Sequence, residues 1–374
     1  MTTKIFLTVD VGASLTKAFL QIAADGKLPI EKCITQPSAV LRTTESFYEE
    51  MDHDNSAHSS LLCYGGMYWQ TGQIAESNLR QTNTDQHKHP EAIAKVLSIA
   101  GYAISKAGNG AEMYLDLLLP KSEEPSFTQM KRDLAKYVSK FWYGSKQLTC
   151  APKFVRVLPE SAGIVSHVQT YPSIILMFGH KDFTLTKIKD QHSGLAYIQT
   201  WAGRGSLMIQ RHMSWTPSNE LTGAKLVFSQ GTGQKGLEKA FGDEAGPVVA
   251  SLRQARELYW VNLQQQLNSD IDVVQAKRIY VAGGGAPAWS KQLKESFSGK
   301  LDLLGSVIRT IGREFPEWSK SPMTYRLTDA YLVWRQNADR PETLQTPPTR
   351  SAKTPKTTKA IKTAKSAKAE VSNV

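Results

Sequence analysis

Residues 5–20 read Ile-Phe-Leu-Thr-Val-Asp-Val-Gly-Ala-Ser-Leu-Thr-Lys-Ala-Phe-Leu. An apolar run ends on Asp10, passes through Gly12-Ala13-Ser14 and resumes as a second alternating run. Alternation at period two predicts two strands, with Ile5, Leu7 and Val9 on one face and Ala18, Leu20 and Ile22 on the same face of the return strand. The segment reads as a β-hairpin with a carboxylate and a small-residue turn at its tip. A turn without bulky side chains lets backbone N–H groups and the Ser14 hydroxyl approach a phosphate. Asp10 stands where a hydrated Mg²⁺ can be held. An ordinary hairpin with an aspartate in its turn has the same local pattern, so the rest of the chain has to decide between the two.

The 374 residues are 41% hydrophobic and 21% charged, enough to build two core-bearing domains. The longest apolar runs, near 115–119 and 174–178, are far too short to span a bilayer. Asp10 and Lys17 interrupt any signal-peptide apolar region, so a cytoplasmic location is expected. Cys33, Cys63 and Cys150 have no metal-ligand spacing and read as reduced, mostly buried thiols. The net charge is +11, of which residues 341–374 supply +5 through seven Lys or Arg against two Glu. That tail is rich in Pro, Thr, Ala and Lys and nearly devoid of large apolar residues, so disorder is expected. Its lysines recur every third residue, short of the 3.6 helical period, and wind round any helix axis. They serve equally well as a solvating tail or as a tether for nucleic acid, anionic lipid or an acidic neighbour.

Strands alternate with helix patterns through the body. Helices are predicted over 91–107, 126–141, 160–168, 248–267, 289–297 and 328–335, and strands over 114–119, 154–158 and 278–282. Residues 171–188 repeat the opening plan: strand, turn at Gly179–Asp182, strand. Two βαβ-like halves that each begin with a strand–turn–strand imply an internal duplication.

Three further segments carry chemistry. Gly283-Gly284-Gly285-Ala286-Pro287 follows a strand and precedes a helix, which lets backbone pass close to a flat ligand or a phosphate. It is not a G-x-G-x-x-G fingerprint, and no G-x-x-x-x-G-K-[ST] loop occurs in the chain. Pro159-Glu160-Ser161 places a carboxylate between a strand end and a helix start, where it can orient a water towards a γ-phosphate or simply cap the helix. Gly203-Arg204-Gly205-Ser206 reads as a turn leading a helix over a cleft, and Gly231-Thr232-Gly233 as a loop. His87-Lys88-His89 lacks the further ligands a metal site needs. Trp201, Trp215, Trp260 and Trp289 read as core anchors, while Tyr68 and Trp69 are candidates for a subunit contact if exposed.

Taken in order, these pieces resemble the actin-like ATPase superfamily. Asp10-Val11-Gly12-Ala13-Ser14 resembles its first phosphate turn, Pro159-Glu160-Ser161 the segment of its hydrolytic Glu, and Val281-Ala282-Gly283-Gly284-Gly285-Ala286 its adenosine motif. Pro37–Val40, Tyr64-Gly65-Gly66, Leu117–Pro120 and Thr328-Asp329-Ala330-Tyr331 fit the bacterial ParM/StbA type and its archaeal actin relatives. The resemblance covers residues 4–336. It implies a duplicated, ribonuclease H-like α/β fold of two lobes, 4–168 and 169–336, with a nucleotide cleft between them and a disordered basic tail over 337–374. It implies ATP or GTP with Mg²⁺ as cofactors, Asp10 organising the metal, and Glu160 as the catalytic residue. Nucleotide contacts are implied for Asp10, Gly12, Ala13, Ser14, Lys17, Gly179, Lys181, Asp182, Gly283, Gly284 and Gly285.

One departure bears on activity. The family's second phosphate turn reads Asp-x-Gly-x-x-Thr, and here Met177 stands where that aspartate belongs, ahead of Gly179. A thioether cannot hold water on Mg²⁺ as a carboxylate does, so nucleotide binding with slow hydrolysis is the expectation. Lys181 and Asp182 are the nearest substitutes. The function implied is a nucleotide-dependent filament that segregates plasmid or other DNA, with copies of itself, a small DNA-binding adaptor and, through the tail, DNA or membrane as partners. A cell-shape filament and a small-molecule kinase on the same fold are the alternatives.

Overall fold

The computed structural model describes residues 2–24, 26, 28–51, 54–78, 89–190, 197–201, 203–213 and 245–338. The opening hairpin forms as read, from β1 (Lys4–Val11) and β2 (Leu15–Ala23), with Asp10 opposite Lys17 and Val11 opposite Thr16. Then follow β3 (Ile30–Pro37), β4 (Val40–Thr43), α1 (Glu45–Glu50), β5 (Ser59–Tyr64), β6 (Met67–Gly72), α2 (Gln73–Asn78), α3 (His89–Ala107), β7 (Ala111–Leu119), α4 (Phe127–Ser139), β8 (Lys140–Tyr143) and β9 (Lys146–Pro159). These nine strands make one sheet in the order β3-β2-β1-β7-β9-β8-β5-β6-β4.

After α5 (Ala162–His167) the chain builds a second sheet from β10 (Ser173–Phe178), β11 (Phe183–Ile188), β12 (Tyr197–Trp201), β13 (Arg278–Ala282) and β14 (Leu301–Asp302), in the order β12-β11-β10-β13-β14. Its helices are α6 (Leu207–Arg211), α7 (Ala245–Ser269), α8 (Ile271–Gln275), α9 (Ser290–Ser296), α10 (Gly305–Glu314) and α11 (Thr324–Ala338). The segment β3-β2-β1-β7-β9 of the first sheet has the topology of the whole second sheet. In each, two antiparallel pairings precede two parallel ones. The duplication expected from the repeated strand–turn–strand is present in the topology.

Strand alternation sorts the core into layers. Ile5, Leu7, Val9, Ala18, Leu20, Met113, Leu115 and Leu117 face a first core with α3 and α4, while Phe19 and Leu118 point to the other side. In the second sheet Ile174, Leu176, Ile279 and Val281 face a core containing α7 and α9, and Ile175, Tyr280 and Ala282 turn the opposite way. The faces that turn away share a central core with α5, α10 and α11, around the fully buried Trp334. Apolar residues at Leu327, Ala330, Tyr331 and Trp334 give α11 the three-and-four spacing that buries one stripe.

Several predicted boundaries shift. The helix predicted to 141 ends at Ser139, and Lys140–Tyr143 is a strand whose Phe141 and Tyr143 alternate inward. Glu160 and Ser161 precede α5 rather than belonging to it. Strand β9 starts at Lys146, because it spans both parts of the first sheet. Helix α11 includes Asn337, which hydrogen-bonds Asp116 and Arg156. Helix α10 was not foreseen. Trp201, Trp260 and Trp289 are packed in the second core as expected. Tyr68 and Trp69 are half-buried: Trp69 stacks on Tyr64 at 5.8 Å, and the Tyr68 hydroxyl donates to Glu45. The cysteines are unpaired thiols, and burial pushes Cys150 up to about 12. Among the described residues no helix is long and apolar enough to cross a membrane. His87, Lys88, Trp215, Gly231–Gly233 and the tail from 341 lie outside the described residues, as does the side chain of His89.

Candidate functional site

The two hairpin tips open into one cleft. Residues 12–14 close the first hairpin and 179–182 the second. Both turns need glycine for the same reason, since a Cβ on Gly12 would sit 2.5 Å from the Leu15 carbonyl oxygen and one on Gly179 2.5 Å from that of Asp182. Register makes the equivalence exact to the residue: Asp10 lies opposite Lys17 two positions before Gly12, and Met177 opposite Thr184 two positions before Gly179. Met177 therefore occupies the second-turn counterpart of Asp10; it lines the cleft and packs against the central core.

Asp10, Gly12, Ala13, Ser14, Lys17, Glu160, Gly179, Lys181, Asp182, Gly283 and Gly284 all line this one cavity. Of the site residues expected from sequence, Gly285 alone does not. It is buried behind the wall, where its N–H donates to the Phe178 carbonyl at 3.1 Å. Asp10 is 5% exposed and ion-paired with Lys17. Ser38 donates to the Gly12 carbonyl and pairs with Thr16 at 3.1 Å, which braces the first turn from behind. The second turn is braced by 203–206: the Gly205 N–H reaches Lys181 O at 2.9 Å and the Ser206 N–H reaches Gly179 O at 3.2 Å. That segment leads into α6, as its sequence implied. Asp182 accepts the Gly203 N–H on Oδ1 at 3.1 Å, so part of its carboxylate serves the turn itself.

Two charged cleft residues, Arg326 and Asp329, escaped sequence reasoning. Arg326 in the first turn of α11 donates to Ser14 Oγ at 2.7 Å, crossing from one half of the duplication to the hairpin tip of the other. Burial lowers its pKa, and the Asp10 charge opposes that effect. Asp329, one turn further on, is 2% exposed and accepts N–H bonds from Ser161 at 2.7 Å, Gly163 at 2.9 Å and Ile164 at 3.1 Å. It thereby clamps the start of α5 and the segment bearing Glu160. Ser161, fully buried, holds a left-handed backbone at φ 77° and bonds Thr186 at 2.8 Å. Such a conformation persists in a serine only where its neighbours over-determine it. Burial first, then the charges of Asp10 and Glu160, push the Asp329 carboxyl up to about 7 against the pull of the backbone N–H groups. The one available signal was an aspartate beside the apolar stripe of the last helix, within Thr328-Asp329-Ala330-Tyr331.

The donor set fits a polyphosphate. Lys17, Lys181 and Arg326 converge with a hydroxyl and two glycine cradles that side chains would fill. For a metal ion the protein supplies less: among the described residues no group of three or more His, Cys, Asp or Glu is placed to hold one. Mg²⁺ beside a nucleotide needs only one or two carboxylates, because phosphate oxygens and water complete its shell. Asp10, on the cavity wall, meets that minimum.

No protein-family model matches the chain, and no curated protein sequence matches it. Solved structures do. The chain is similar to the subunit of a 15-stranded ParM filament from Clostridium botulinum, with a TM-score of 0.55 and 15% identity over 91% of this chain and 100% of that one. It is similar to Ta0583, an archaeal actin homologue, at TM-score 0.54 and 14% identity over 90% of this chain and 99% of the other. It is also similar to a non-polymerisable quadruple mutant of pCBH ParM, at TM-score 0.53 and 13% identity, covering 90% and 100% of the two chains. The fold is therefore the actin-like fold in its ParM-type form, as the sequence motifs implied.

Proposed function

We propose that this chain binds a purine nucleoside triphosphate between the two hairpin tips and assembles with copies of itself into filaments. The observation that carries this reading is the convergence of both turns, Glu160 and the Gly283-Gly284 bend on one cleft. In this reading the two halves of the duplication are lobes, 4–168 and 169–336, that close on the ligand. Gly12, Ala13, Ser14 and Lys17 hold phosphate from the first lobe, and Gly179, Lys181 and Asp182 from the second. Gly283 and Gly284 leave room for the nucleoside, with Gly285 shaping the bend from behind. Asp10 is the carboxylate for Mg²⁺, which when bound would neutralise phosphate charge. Glu160 orients a water, held at its post by the Asp329 clamp on the next residue.

Head-to-tail stacking is a heterologous contact that does not close, so it yields a filament. Nucleotide shifts the population towards the closed, assembling form only to the extent that it binds that form more tightly. In this reading the filament segregates DNA through a small DNA-binding adaptor, as the sequence resemblance to the ParM/StbA type implies, and the solved filament neighbour supports only the self-assembly. Electron microscopy of the full chain with ATP, GTP and the diphosphates tests the reading. Filaments are expected with a triphosphate. Empty grids together with no calorimetric uptake of any purine nucleotide would reject it.

A further inference from the structure

The second turn has lost the carboxylate that would partner a metal, and the cleft has a cation from elsewhere in the chain. Met177 sits at the register position of Asp10, and a thioether is a poor ligand for a hard cation. Asp10, the one carboxylate assigned to a metal, shares its charge with Lys17, and Asp182 is engaged by the Gly203 N–H. Arg326 meanwhile reaches from α11 to Ser14 Oγ at 2.7 Å, lining the same cavity as Lys17 and Lys181. The space it occupies depends on Gly284, where a Cβ would come within 2.9 Å of the Arg326 side chain.

We propose that Arg326 is a built-in phosphate cation between the two tips, taking over part of the charge neutralisation that a metal would supply, so that nucleoside di- and triphosphates bind here with little dependence on Mg²⁺. The inference rests on the nucleotide reading of the cleft. A guanidinium is planar, always charged and more weakly hydrated than an ammonium, and its fork matches phosphate oxygens two at a time. Ser14 takes one of its five N–H donors and fixes the direction of the rest. The Ser14 contact places it at the first hairpin tip, and its cavity position gives it access to phosphate between the tips.

Isothermal titration of the full chain with ATP and GTP, in excess Mg²⁺ and in EDTA, reads this directly. For the wild type, chelation is expected to change Kd by less than about tenfold. Arg326→Met is expected to weaken binding in EDTA by roughly ten- to a hundredfold, as loss of a charge-assisted contact does, with Arg326→Lys in between. Met177→Asp, by restoring a carboxylate, is expected to bind at least about tenfold tighter with Mg²⁺ than without it. Thermal melts check that each variant is folded, and the wild-type comparison needs no variant. A wild-type loss larger than tenfold in EDTA, or a folded Arg326→Met that binds like the wild type there, overturns the assignment while leaving the nucleotide reading standing. No uptake by the wild type in either condition overturns both.

Discussion

In the proposed nucleotide cleft, Met177 is the single side chain that bears most directly on turnover. The backbone of the second turn is intact: Gly179 donates its N–H to Asp182 O at 3.0 Å, and Phe178 pairs with Phe183 in full register. What is missing is a charge two residues before the glycine. Phosphoryl transfer depends on positioning and charge stabilisation more than on covalent chemistry, so that loss should slow hydrolysis while leaving binding in place. Met177→Asp should therefore raise steady-state phosphate release, by about tenfold or more if carboxylate-held metal is limiting. Glu160→Ala should abolish whatever rate the wild type has. A Met177→Asp protein that gains nothing would detach slow turnover from this residue.

Helix α11 is the element that makes the cleft a unit. One face buries Leu327, Tyr331 and Trp334 in the central core, and Trp334 stacks on Phe19 of β2 with ring centroids 5.6 Å apart. Its first turns hold Arg326 and Asp329 three residues apart, on neighbouring positions of the helix surface. Asp329 ties α11 to α5, so a shift of either helix moves Glu160. The raised Asp329 carboxyl also gives the fold a pH signature. The folded protein keeps a proton there that the unfolded chain releases above the ordinary carboxyl range near 4. Stability from this group is full below about 4 and is lost as pH rises through about 7. Asp329→Asn lowers stability at every pH, because an amide cannot accept all three N–H bonds. It should also remove this dependence, so that the wild-type melting temperature falls relative to the variant's between pH 5 and 8. Parallel curves for the two proteins would show that Asp329 is ionised throughout.

For the whole molecule, the repeated order β3-β2-β1-β7-β9 and β12-β11-β10-β13-β14 explains why one cleft receives two equivalent turns. Duplication puts matching hairpin tips on matching sheets, and α5 and α11 pack in the core shared by both. The excess positive charge is spread as well, +6 over residues 1–340 and +5 over the tail. If the tail tethers DNA, deleting residues 341–374 should flatten the salt dependence of DNA binding. Up to about six counterions would be accounted for by its seven cations. An unchanged slope would assign any DNA affinity to the body and leave the lysines a solvating role.

The sequence by itself determined the strands of the two opening hairpins, the three parallel strands at 114–119, 154–158 and 278–282, and the hairpin tips with their equivalence. Period-two alternation and small turn residues act between neighbours, and Ile5, Leu7 and Val9 face the core they were expected to face. Motif order was enough to name the residues of both turns and Glu160, because each lies within a few positions of a strand end. Only the tertiary structure decided that Arg326 meets Ser14 across 312 residues and that Asp329 caps α5 across 168 from Ser161. Neither contact leaves a periodic or compositional trace. Each exists because the core shared by the two sheets brings the last helix against the first turn, and that packing is a property of the assembled layers rather than of any local stretch.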